Sequence, residues 1–304
     1  MRELTLRSLR VFEAAASTSS FSRAAELMAM SQPAVSQQIR QLEEEAGLRL
    51  FDTHARPIQL TDAGRELLRH ARAILAQVEV AADAMSSLEG QFKGQIHLGV
   101  VSPAQYFAPA LLTAFRERYP QVRVKLSIAQ RDTLLAQLAE HKVDLVIGGY
   151  PPAHAEVEAE AFARHPHVLV AAAGHPLADQ RGLQWADLRH EPFLFREPGS
   201  STRQFLEQLM MVQGLQVQTA IELQGPETIR QAVMAGMGIS FMSAHVCQTE
   251  ISHGLIRVLD VAGMPKWLDW CLLYRRDRPL SSVQQALREF VLAEGAALAA
   301  CVLG

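Results

Sequence analysis

Ser20-Phe-Ser-Arg-Ala-Ala-Glu-Leu-Met-Ala-Met-Ser-Gln-Pro-Ala-Val-Ser-Gln-Gln-Ile-Arg-Gln-Leu42 reads as two short helices joined by a tight turn. Ser20 is placed to cap the first, whose apolar face would be Phe21, Ala24, Ala25, Leu27 and Met28. Ser31 is placed to cap the second, and Pro33 falls in its first turn, where a missing N–H costs nothing. Val35, Ile39 and Leu42 recur at spacings of four and three, which predicts one buried stripe. The opposite stripe presents Gln32, Ser36, Gln37 and Arg40. Gln and Arg can each make two hydrogen bonds to a base edge, and Ser can serve a base or a phosphate. That division predicts a recognition helix lying in a major groove.

Working outward, Leu6, Leu9, Phe12, Glu13 and Ala16 predict a helix before this pair, and Gly47 is a natural left-handed C-cap after it. Arg49–Phe51 and Pro57–Leu60 read as two short strands around a polar turn, a wing whose tip would carry His54 and Arg56 to a minor groove or phosphates. Against a DNA-binding role, residues 1–62 hold seven arginines, no lysine and eight acids, a formal charge of −1. A small protein-binding helical domain is the competing reading. Three of those acids, Glu43 to Glu45, fall at the far end of the recognition helix, so a positive reading face is compatible with the balance.

Thr61 is placed to cap a long helix opening at Asp62. Along it Leu67, Ala71, Ile74, Val78, Ala81, Met85 and Leu88 alternate at spacings of four and three, a coiled-coil seam over three repeats. Pairing of two copies through this seam would set two reading helices at a fixed separation, so a two-fold DNA site is expected. The alternative is a helix packed against its own domain. Gln91 to Gly94 reads as the linker that follows.

From Gln95 onward, strands and helices alternate, which predicts a mainly parallel sheet covered on both faces. Ligand-binding positions in such folds lie at strand C-terminal ends and helix N-termini. Three places qualify: Ser102 with Gln105 and Tyr106, Gln130 with Arg131, and Ser200-Ser201-Thr202-Arg203. Gly149, closing a buried strand, joins them as a candidate. The Pro198–Arg203 loop combines backbone N–H groups, hydroxyls and arginines suited to an anion; a helix cap alone is the plainer reading of its hydroxyls. His165 and His167 read as structural, Met234, Met237 and Met242 as core, and Cys247, Cys271 and Cys301 as buried thiols without metal spacing.

The chain resembles the LysR-type transcriptional regulators. The resemblance is carried by Leu9-Arg10-Val11-Phe12, Phe21-Ser22-Arg23-Ala24-Ala25, Ser31-Gln32-Pro33-Ala34-Val35-Ser36, Leu42-Glu43, Gly47, Leu50-Phe51 and Leu60-Thr61-Asp62-Ala63-Gly64. It implies DNA contacts by Arg23, Ser31, Gln32, Pro33, Ser36, Gln37 and Arg40. The family's basic residue two positions after Leu-Phe is here Thr53, so wing contacts fall to His54 and Arg56. Gly94–Pro109, His165–Ala171, Arg196–Arg203 and Glu227–Ser240 are similar to the subgroup that controls Calvin-cycle operons, known as CbbR.

The resemblance implies an α/β fold class with an N-terminal all-α winged helix-turn-helix (1–62), a dimerisation helix and hinge (63–93), and a two-lobed, periplasmic-binding-protein-like effector domain (94–304). Lobe I would comprise about 94–165 and 266–304, and lobe II about 166–265. It further implies a homodimer or homotetramer acting as activator and repressor, a small anionic metabolite effector, double-stranded DNA and RNA polymerase as partners, and no cofactor. A regulator of an aromatic or amino-acid operon, a two-lobed solute-binding protein and a non-DNA-binding adaptor are the alternatives. No catalytic or nucleotide-binding motif is present, so no enzyme is expected. The 304-residue chain has net charge −3 and no bilayer-length apolar stretch. The first dozen residues lack a signal peptide's apolar segment, so a cytoplasmic protein is expected.

Overall fold

The computed structural model describes residues 4–53, 57–88, 93–153, 156–277 and 279–301. It separates into two compact units, Met1–Gln91 and Phe92–Gly304.

In the first unit, α1 (Leu6–Thr18), α2 (Phe21–Leu27) and α3 (Gln32–Ala46) are followed by β1 (Phe51–Asp52), β2 (Gln59–Leu60) and α4 (Asp62–Leu88). The capping residues act as expected. Ser20 Oγ accepts from Arg23 N–H, Ser31 Oγ accepts from Ala34 N–H, and Gly47 ends α3 at φ +68°. Leu9, Phe12, Ala24, Val35, Ile39, Leu42 and Phe51 form the core. Leu27 does not join it and is 69% exposed. The helix ends there, and a turn with Ala29 at φ +51° returns Met28 and Met30 to the core instead. The wing strands pair antiparallel, Phe51 with Leu60 and Asp52 with Gln59, and are shorter than predicted.

The second unit runs β3 (Gly94–Val101), a 3-10 turn (Ser102–Tyr106), α5 (Ala108–Arg118), β4 (Val122–Ala129), α6 (Arg131–Ala139), β5 (Leu145–Gly148) and β6 (Val157–Ala172). After β6 come a second 3-10 turn (Trp185–Leu188), β7 (Pro192–Arg196), α7 (Ser201–Val212), β8 (Thr219–Leu223), α8 (Pro226–Met234), β9 (Ile239–Ser243), α9 (Ala244–Ser252), β10 (Ile256–Val258), β11 (Lys266–Arg275) and α10 (Ser282–Leu298). The predicted opening turn of a helix at Gln105 and Tyr106 is therefore a separate 3-10 turn.

The sheet is mixed, not mainly parallel. Strand order is β4-β3-β5-β11-β6-β9-β7-β8, with β10 also on β6. Each end holds parallel strands, as strand–helix alternation requires. Between them β6 and β11 pair antiparallel over almost their whole length and carry the chain from one lobe to the other and back. On β6, Leu169 and Ala171 pack into one apolar cluster while Val168 and Val170 pack into another, so both faces are covered. Ile96, Leu98, Phe115, Trp270 and Phe290 fill the other lobe. Met242 is core, whereas Met237, in the turn before β9, is 46% exposed.

Candidate functional site

The face of α3 opposite Val35 and Ile39 carries Gln32, Gln37 and Arg40 exposed, with Ser36 half-buried between them. Gln32 Nε2 donates to Ser36 Oγ at 2.8 Å, so two candidate DNA contacts hold one another. Ser31 and Pro33 are exposed at the start of the helix and Arg23 on α2. Among the described residues, the side chains of Arg23, Gln37 and Arg40 have no ion-pair or hydrogen-bond partner. His54 and Arg56 lie outside the described residues.

Glu43 is not a surface acid. Its Oε1 accepts from the backbone N–H of Leu50 (2.8 Å) and Phe51 (3.2 Å), and Arg49 Nη1 reaches Oε2 at 3.1 Å. One carboxylate thereby ties the end of the reading helix to the first wing strand. The entry to α4 is tied to the same place. Thr61 Oγ1 donates to Arg49 carbonyl and accepts from Gly64 N–H. A Cβ on Gly64 would sit 2.1 Å from the Leu50 carbonyl, so only glycine allows this approach.

The seam on α4 divides. Leu67 and Ala71 pack into the core of their own unit. Arg72, between the seam positions, is buried and reaches Glu13 at 3.6 Å. Farther along, Ile74 is 40% and Met85 61% exposed. Ala81 is also exposed and Val78 half-buried. The side chain of Leu88 lies outside the described residues.

In the second unit a cavity of about 320 Å³ opens between the lobes. Ser102, Gln130, Arg131 and Gly149 line it from one lobe, and Ser200, Ser201 and Thr202 from the other. Three predicted residues lie elsewhere. Gln105 Nε2 and Tyr106 hydroxyl both donate to Glu227 Oε1, making a separate bridge between the lobes. Arg203 turns to Glu207, Glu222 and the Arg196 carbonyl.

The α7 end of the cavity has the chemistry of an anion site. Ser200 is the N-cap, so free N–H groups of the first turn lie at the wall. Arg196 lines the same wall, nine-tenths buried, and makes two hydrogen bonds to Glu197 at 2.8 and 2.7 Å. Those bonds outweigh partial burial, and with the Gly225 N–H they hold the Glu197 carboxyl down to about 2.

Sequence reasoning assigned no ligand role to His165 or His167, which line the cavity too. Both are buried and hold no metal-type cluster; among the described residues no group of three or more His, Cys, Asp or Glu could hold a metal ion. His165 stacks on Trp270 at 3.7 Å and shares a 2.9 Å hydrogen bond with Ser243. His167 stacks on Phe241. Nothing local in the sequence marks them, and the pairing of β6 with both β11 and β9 brings their partners together.

Residues 6–65 match the family described as bacterial regulatory helix-turn-helix protein, lysR family, and residues 89–296 match the LysR substrate binding domain. The chain belongs to the LysR family. It is a DNA-binding transcriptional regulator, and its relatives are named as regulators, not enzymes. It is 45% identical over 288 residues to the HTH-type transcriptional regulator CbbR of Rhodospirillum rubrum, covering 95% of this chain and 96% of that one. It is 41% identical over 301 residues, 99% of each chain, to the RuBisCO operon transcriptional regulator of Allochromatium vinosum. The regulatory domain of CcmR from Synechocystis PCC6803, solved in complex with 2-PG, is 30% identical with a TM-score of 0.64, covering 66% of this chain and 97% of that one. Among the described residues no helix is long and apolar enough to cross a membrane.

Proposed function

We propose that this LysR regulator controls carbon-fixation genes in answer to a small phosphorylated or carboxylated anion held between its lobes. It works in the cytoplasm as a homo-oligomer on a two-fold promoter site, with RNA polymerase as partner. Residues 1–62 read DNA, 63–93 supply the dimerisation helix and hinge, and 94–304 bind the effector.

One observation carries the effector reading. The capped N-terminus of α7 and Arg196 from one lobe face Arg131 and Gln130 from the other across one cavity. An anion seated there touches both lobes and favours whichever arrangement brings them together, and only that differential affinity can alter DNA binding. The Synechocystis neighbour's ligand and the names of the full-length relatives agree with this choice over an aromatic or amino-acid effector.

A footprint of the full-length protein on the promoter beside its own gene, with and without 2-phosphoglycolate, tests both halves. Protection of a two-fold site that changes with the ligand is expected. Ser36→Ala with Arg40→Ala is expected to weaken binding by at least tenfold, since a good base contact is worth about 1–3 kcal/mol. Retained binding by that double variant overturns the reading face. A footprint and a calorimetric titration both indifferent to 2-phosphoglycolate overturn the effector.

A further inference from the structure

The floor of the cavity holds groups that the anion reading leaves unused. His165 and His167 sit two apart on β6 with ring centroids 4.2 Å from one another, and both line the cavity. His167 is 3% exposed, and its Nδ1 has no hydrogen-bond partner. A buried imidazole nitrogen without a partner beside an open cavity is an unmet hydrogen-bonding group.

The charges around this pair are nearly balanced. Arg196 on β7 is matched by Glu197, and Arg131 on α6 lies 3.3 Å from Asp132. Asp269 on β11 also lines the cavity, Lys266 stands opposite His167 in the β6–β11 register, and His245 on α9 packs 5.6 Å from His165. A dianion entering here meets lining arginines, Arg131 and Arg196, that each already carry a carboxylate partner.

Resting on the anion reading of the cavity, we infer that His167, with His165 beside it, belongs to the anion site and takes up a proton from solvent as the anion enters. Effector and proton bind together and leave together. The proton goes to the ring nitrogen that lacks one, which turns the imidazole into a cation with an N–H on each side. Before the ligand arrives both rings are neutral. Burial drives His167 down to about 4, with His245 adding to it against the His165 backbone, and His165 is driven well below its ordinary value by burial, His167 and His245. One net negative charge within about 4 Å opposes that burial with comparable strength.

The test uses the full-length protein and 2-phosphoglycolate at pH 6.5, titrated calorimetrically in two buffers of different protonation enthalpy. Wild type is expected to take up at least half a proton more per ligand than His167→Gln, whose affinity falls about tenfold. Equal proton counts overturn the inference while leaving the anion site standing. No binding of the probe to wild type overturns the anion reading and the inference with it. Should His167→Gln fail to fold, ring-nitrogen spectra of histidine-labelled wild type decide: a neutral-ring signal that becomes imidazolium on saturation supports the inference, and an unchanged set rejects it.

Discussion

Gln130 of the first lobe donates a hydrogen bond to Glu197 of the second, Nε2 to Oε1 at 3.3 Å. The same carboxylate occupies Arg196, so it acts as a resident anion on the wall where an effector would seat. Glu197→Gln removes the charge and keeps one carbonyl oxygen, enough for the Gly225 N–H or for Gln130 but not both, since they donate to different carboxylate oxygens. Calorimetry with 2-phosphoglycolate is expected to show binding tightened about fivefold, corresponding to about 1 kcal/mol for a partly exposed charge. Unchanged or weakened binding rejects competition between Glu197 and the ligand.

Glu43 joins the reading helix to the wing through two backbone N–H groups. Glu43→Ala leaves both donors unpaired in a buried place, at about 1–3 kcal/mol each. The first unit should melt several degrees lower, and operator binding should weaken with it. Glu43→Gln keeps an acceptor and should lose less than half as much. Equal losses for the two variants in a thermal melt would show that packing, and not the hydrogen bonds, sets the cost.

The first unit was legible because its signals are local. Ser20, Ser31, Thr61 and Gly47 act on backbone groups three or four residues away, and α3's stripe follows from its own period. The burial of Glu43 was not legible, because its partners, Leu50 and Phe51, lie beyond the turn at Gly47. In the second unit strand direction was not legible. The apolar run of β6 is buried on both faces, so it carries no alternation, and a run of this kind does not say which neighbour it pairs with. The cap at Ser200, at one end of the cavity, was legible from the sequence. The histidine floor was not, since Trp270 and Ser243, which His165 meets, lie 105 and 78 residues away in sequence. Gln105 and Tyr106 lie outside the cavity for the same reason, since Glu227, which holds them, is about 120 residues on, whereas Arg203 is drawn away by partners nearer in the chain, Glu207 and Glu222.

The buried histidines set an acid limit on the effector unit. In the unfolded chain each takes a proton near 6.5, whereas in the fold burial holds His167 to about 4 and lowers His165 and His245 too. Between those values the unfolded state binds more protons, so stability falls as pH falls through that window. Each histidine contributes up to about 1.4 kcal/mol per pH unit. Glu197, held low, supports the fold above the ordinary carboxylate range and loses that support progressively as pH falls from about 4.5 towards 2, at and below the acid end of this window. Melting temperatures measured from pH 7 to 4.5 should fall steeply for wild type and more gently for His167→Phe, which keeps the stack on Phe241. Parallel curves would count against the histidines as the cause.

The outer half of α4 makes the last prediction. Leu67 and Ala71 are used within their own unit, so a charge there should unfold it. Ile74 and Met85 are exposed large apolar side chains on the same heptad seam, and burial of each is worth about 1.5–3 kcal/mol. If two copies pair along this stripe, each substitution is felt twice in the dimer. Ile74→Glu with Met85→Glu should therefore weaken association by at least about a hundredfold while leaving the melting temperature of the monomer near that of wild type. Light scattering on a sizing column separates the outcomes. A double variant that keeps its wild-type mass places the pairing surface elsewhere, and the two-fold DNA site would then need another source of its spacing.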